Sequence, residues 1–197
     1  NNINDEKNLK LLQELNSDLG VIIGGRILKR HIIYAPKLGS LNIHKHNAEK
    51  YRGGGQTGFV EQLEGDQEIG VTIHFASEQV DAGDIVKMES FQIDRYDNDV
   101  SIAIKADTLG IELYYKCICD VLRGTARRLI QNNNRSKTYY TTPYYKRDKL
   151  WQIRKKELHR ILNIKEKLSK KIFYFLFRKF RKLIFYFFIP LLVILRK

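Results

Sequence analysis

Asn42 and His44 stand two apart in the run Ser40-Leu41-Asn42-Ile43-His44. Alternate residues of a strand project from the same face, so an amide and an imidazole emerge side by side there. An amide N–H can donate to a developing oxyanion, and an imidazole can pass a proton near neutral pH. Acyl transfer to an amine requires that pair. Farther along, Val80-Asp81-Ala82-Gly83-Asp84 follows the strand-like run Gly70-Val71-Thr72-Ile73-His74-Phe75. A carboxylate on a tight turn after a strand can fix the tautomer of a histidine and raise its pKa. Taken singly, Asn-x-His and Asp-Ala-Gly are common, and a packed histidine or a plain turn is the commoner explanation of each.

The elements that must hold these residues follow from pattern. Residues 5–16 carry Leu9, Leu11, Leu12 and Leu15, an amphipathic helix, and the apolar run Leu19–Gly24 fits a strand buried on both faces of a parallel sheet. A short helical stretch is expected over Arg26–Arg30 and a strand over Leu41–Lys45. The turn Asp81–Asp84 should join the strand Gly70–Ala76 to a second strand, Ile85–Ile93. A long helix is expected over 108–131, capped by Thr108 and striped by Leu109, Leu113, Cys117, Val121, Leu129 and Ile130. Helix, turn and buried strand at the start read as the second half of a βαβ unit, so earlier strands are expected to be missing.

Five blocks occur in order with compatible spacing: Gly25-Arg26-Ile27-Leu28, Gly39–His44, Tyr51-Arg52-Gly53, Gly70–His74 and Val80–Ile85. In this the chain resembles the formyltransferase family, whose members use 10-formyltetrahydrofolate; the likeness covers roughly residues 15–95. The resemblance implies an α/β fold, a Rossmann-like, mostly parallel sheet flanked by helices. It implies Asn42, His44 and Asp81 as the catalytic set. Asn42 and protonated His44 would stabilise the oxyanion, His44 would shuttle the proton, and Asp81 would hold His44 in its working state through water. It places the pterin between Gly25, Arg26, Ile27 and Leu28 on one side and Ser77, Glu78, Gln79, Val80 and Asp81 on the other. His74 becomes a supporting histidine, and no metal is implied. The expected reaction is N-formylation of a nucleotide- or lipid-linked amino sugar in surface polysaccharide synthesis. Methionyl-tRNA, glycinamide ribonucleotide and a non-catalytic, membrane-associated remnant are the alternatives.

Two departures from the family pattern stand out. Lys45-His46-Asn47-Ala48-Glu49-Lys50 replaces an apolar, proline-containing run beside the acceptor, and the family's first strands and glycine-rich acceptor loop have no counterpart. A metal site of His44, His46 and Asp81, with or without His74, competes on residue type, but the formyltransferase pattern places His74 and Asp81 where the metal pattern does not. Gly53–Gly58 fits GxGxxG formally, yet it lacks the tight strand-to-helix context of a dinucleotide site.

Charge divides the chain. Of its 197 residues, 1–120 hold 13 basic and 19 acidic side chains, while 121–197 hold 22 and 3. That excludes a uniformly basic nucleic-acid-binding domain. The division expected is a catalytic domain over 1–131, a linker over 132–148 and a basic helical tail over 149–197. In the tail, Leu183–Leu195 is an apolar run of 13 residues, about 20 Å as a helix and short of the ~30 Å bilayer core. Extending it back to Ile172 brings in Arg178, Lys179, Arg181 and Lys182, so an anchor on an anionic membrane surface is expected rather than a span. The polar opening NNINDEKNLK shows no signal-peptide pattern, and Cys117 and Cys119 suit reduced thiols. The expected location is cytoplasmic, at the inner face of the membrane.

Overall fold

The computed structural model describes residues 2–131, 136–139, 146, 148–150 and 152. Asn1–Leu150 belong to one compact unit and Trp151–Lys197 to a second. Of the expected basic helix only 149–150 and 152 are described, and they are helical; the rest of it and the membrane-prone run lie outside the described residues. Among the described residues, no helix is long and apolar enough to cross a membrane.

In chain order the elements are α1 (Glu6–Leu15), β1 (Gly20–Ile22), α2 (Arg30–Ile33), β2 (Ser40–His44), β3 (Tyr51–Gly53), α3 (Phe59–Glu64), β4 (Glu68–Phe75), β5 (Ile85–Gln92), α4 (Asp99–Leu122) and β6 (Lys137–Tyr139). The main sheet has the order β1-β2-β4-β5. β1 and β2 are the parallel pair that the opening helix, turn and strand predict. β4 runs antiparallel to β2, and β5 antiparallel to β4, through the hairpin expected at Asp81–Asp84. Helices flank the sheet and the α/β class stands. β3 and β6 form a separate parallel pair, so residues 137–139, read above as linker, are extended and hydrogen-bonded to Tyr51–Gly53.

Period-two alternation divides the sheet into a greasy face and a working face. Leu41, Val71, Ile73 and Phe75 pack beneath α4 with Ala106, Leu113, Tyr114, Cys117 and Val121. Each fully buried aliphatic side chain there contributes ~1.5–3 kcal/mol over leaving it exposed. Asn42, His44, Thr72 and His74 alternate with those residues and project to the other face. The register sets Asn42 opposite His74 and His44 opposite Thr72.

Three local expectations are corrected. β1 is not buried on both faces: Val21 is 50% exposed, because β1 is the sheet's edge among the described residues. Helix begins at Arg30 rather than Arg26, since the amide of Asn4 serves that loop's backbone, donating to the Ile27 carbonyl at 3.1 Å and accepting from the Lys29 N–H at 2.7 Å. The long helix starts at Asp99, not at Thr108. Asn98 caps it, its side-chain oxygen accepting from the N–H groups of Val100 and Ser101, while Thr108 sits within the helix and donates to the Ile104 carbonyl at 2.8 Å. The helix ends at Leu122, and Gly124 adopts φ 72, a left-handed stop that glycine tolerates best. Leu129 and Ile130 therefore fall outside its stripe.

Candidate active site

Two neighbouring strands and one turn build the site. β2 presents Asn42 and His44, β4 presents His74 from the cross-strand position, and the hairpin after β4 returns Asp81 to them. The Asp81 carboxylate is the hub. Its Oδ1 accepts from Asn42 Nδ2 at 3.1 Å and lies 3.3 Å from His74 Nε2. Its Oδ2 accepts the Gly53 N–H at 2.8 Å and lies 3.4 Å from His44 Nδ1. Asp81 is also one of two non-glycine residues with positive φ among those described, at 49°, a left-handed backbone that aspartate adopts more readily than most.

Hydrogen placement follows from the acceptors. His44 Nε2 lies 2.9 Å from the Tyr51 carbonyl, which can only accept, so the neutral ring keeps its lone pair on Nδ1, facing Asp81. In the same way His74 Nδ1–H donates to the Phe75 carbonyl at 2.8 Å, leaving Nε2 toward Asn42 Nδ2 at 3.1 Å. Burial pushes the His44 imidazole down to about 4, outweighing the upward pull of Asp81, with His46 and His74 adding to the fall. The neutral ring is thus favoured at rest, chiefly by desolvation. Burial drives the Asp81 carboxyl up, but its contacts with His74, His44 and the Gly53 N–H together bring it below the ordinary value, so it is ionised.

A surface ion pair links α2, just beyond the first of the two segments assigned to the folate, to the second. Arg30, two residues past Leu28, pairs with Glu78 at 2.5 Å. Gly25, Arg26, Ile27 and Leu28 form an irregular loop after β1, with open space beside Gly24 and Gly25 and the Ile27 side chain 67% exposed. Ser77 Oγ donates to the Gln79 carbonyl at 2.8 Å, and Glu78, Gln79 and Val80 lead into Asp81. Among the described residues, no group of three or more His, Cys, Asp or Glu is arranged to hold a metal ion.

Several supporting residues were missed in the sequence or read otherwise. His46, named above only in the competing metal reading and the Lys45–Lys50 departure, is buried like Glu61 and has its Nδ1 2.6 Å from Glu61 Oε1, with its ring centroid 5.0 Å from that of His44. Glu61 Oε2 accepts the Gly58 N–H at 3.0 Å. An acidic residue three positions after a helix-starting glycine was a readable signal for that contact. Arg52, quoted above only as part of Tyr51-Arg52-Gly53, is buried and donates to the Ala48 carbonyl and to Gln131. Gln131 had no signal at all.

Fold and cluster define an α/β protein with an amide, an imidazole and a carboxylate gathered on one face of its sheet. Residues 1–118 match the formyl transferase family. A methionyl-tRNA formyltransferase of Staphylococcus epidermidis is 33% identical over 134 residues, covering 66% of this chain and 42% of that protein. A sugar 3N-formyl transferase, WlaRD, solved in the presence of dTDP and 5-N-formyl-THF, is 25% identical with TM-score 0.56 over 66% of this chain and 47% of its own. An N-formyltransferase from Helicobacter canadensis, in complex with folinic acid and dTDP-3-aminofucose, is 26% identical with TM-score 0.50 over 59% and 42%. The chain belongs to the formyltransferase family. It spans less than half the length of the curated relative from S. epidermidis.

Proposed function

We propose that this chain moves a formyl group from 10-formyltetrahydrofolate to the amine of a nucleotide-linked amino sugar. The observation that carries the reading is the Asp81 carboxylate held between Asn42, His44 and His74. The amine's lone pair forms a bond to the formyl carbon, the carbonyl electrons move onto oxygen, and collapse breaks the bond to the folate nitrogen, which takes a proton. Asn42 gives up its contact with His74 and donates to the oxygen as charge develops there. Donors of this kind are worth roughly 3–4 kcal/mol each. Neutral His44 accepts the proton lost by the amine, ionised Asp81 stabilises the imidazolium that results, and that imidazolium gives its proton to the departing folate nitrogen. Products are the formamide and tetrahydrofolate.

Both sugar-directed relatives are at or above 25% identity, which supports an amino-sugar acceptor. The higher identity of the methionyl-tRNA enzyme keeps the α-amine of methionyl-tRNA as a second reading. A single assay separates them. The full chain is given labelled 10-formyltetrahydrofolate with a panel of dTDP- and UDP-linked amino sugars, and methionyl-tRNA in a parallel arm. Formylated sugar nucleotide is expected. Label only in methionyl-tRNA would move the assignment to the second reading, and label in no acceptor would leave a non-catalytic remnant.

A further inference from the structure

Gln131 lies outside every motif, in the segment after α4, yet it is only 5% exposed. Its side-chain amide donates to the carbonyl oxygens of Asp81 at 3.0 Å and Gly83 at 2.6 Å. Its oxygen accepts from Arg52 Nη2 at 2.8 Å. The residue after Arg52, Gly53, donates its N–H to the Asp81 carboxylate at 2.8 Å. These contacts close a ring that runs from the Asp81 main chain through Gln131, Arg52 and Gly53 back to the Asp81 side chain.

The chemistry of the partners fixes the amide's orientation. Two carbonyls can only accept and a guanidinium can only donate, so the position calls for two hydrogens and one acceptor on a short planar end. The segment that delivers it is itself anchored. Leu129 and Ile85 exchange backbone hydrogen bonds of 2.9 and 2.8 Å, and the Arg128 guanidinium lies 3.7 Å over the Phe75 ring. Asp81 needs such support, since a left-handed non-glycine backbone persists only where its surroundings over-determine it.

We propose that Gln131 is a positioning residue for formyl transfer: it fixes the main chain of the Asp81–Gly83 turn so that the Asp81 carboxylate stays between His44, His74 and Asn42. This rests on the reading of Asp81 as part of the transfer site. Gln131→Glu keeps shape and an oxygen toward Arg52, but sets a second oxygen against two carbonyls. Gln131→Met keeps length and removes the polar end. Both are expected to lower kcat about tenfold to a hundredfold, the scale of a small misplacement in a reacting group, with KM for both substrates near wild type. In an Asp81→Asn background the further loss should vanish, whereas a general loss of fold would multiply through. In ¹⁵N-histidine spectra, the His44 and His74 ring resonances should move in the same sense as in Asp81→Asn. Variants that fold with wild-type kcat and unmoved imidazole resonances would overturn the proposal, and Gln131→Met decides if Gln131→Glu does not fold. Should the wild type transfer nothing, the reading of the reaction fails, while the resonances still test the tie.

Discussion

Asp81→Asn is expected to lower kcat for formyl transfer about 10²–10⁴-fold, the range over which a positioned acid–base pair acts, while the protein stays folded. Size is conserved, so the loss comes from charge and from hydrogen direction. An amide at this position meets the Gly53 N–H on one side and the Asn42 amide on the other, and cannot accept from both. The sign of the accompanying shift follows from the same geometry. Asp81 raises the His44 pKa against the pull of burial, which already brings it to about 4. Removing the carboxylate therefore takes His44 lower still, making it a weaker base for the amine's proton. The His44 imidazole titration, followed by its Cε1 proton resonance, should move to lower pH in the variant. A titration that moved upward, or a kcat within a few-fold of wild type, would contradict the role given to Asp81.

Gly83→Ala is expected to destabilise the chain by about 3 kcal/mol, the upper end of what an added methyl costs in a packed site. A Cβ at this position would fall 1.8 Å from the Phe75 carbonyl oxygen. That oxygen is not free to move. It accepts the His74 Nδ1–H at 2.8 Å, and the N–H groups on either side of it are held too, Phe75 to the Asp84 carbonyl at 2.9 Å and Ala76 to Ser40 at 2.7 Å. The strain thus passes to His74, and through it to Asn42 and Asp81, so transfer should fall with stability. Urea unfolding checks this, as a lower midpoint with an unchanged slope. A midpoint equal to wild type would show that the hairpin relaxes around the methyl and is not the rigid arm described here.

The working face of the sheet was readable because it depends on short-range rules. Asn42 and His44 share a face by strand alternation, and the Asp81 turn follows a run that alternates as β4 does. The cross-strand placement of His74 beside Asn42 was not readable, since register comes from pairing rather than from pattern. Helix boundaries failed where a side chain outcompeted propensity: Asn4 satisfied the loop that looked helical at Arg26–Arg30, and Asn98 capped α4 ten residues ahead of Thr108. Exposure of Val21 was hidden because an apolar run reads alike at a sheet's centre and at its edge. Gln131 was invisible for a deeper reason. It acts across a separation of 50 residues from Asp81 through one polar side chain, and no local periodicity marks such a contact.

The role of the buried imidazole is reached most directly by single-turnover transfer of labelled formyl from 10-formyltetrahydrofolate to the amine acceptor, comparing wild type with His44→Ala, Asp81→Asn and the double variant. The two groups work as one acid–base unit, so each single change should cost about 10² or more and the double variant little beyond the worse single. Transfer by His44→Ala at the wild-type rate, or losses that multiply in the double variant, would contradict it.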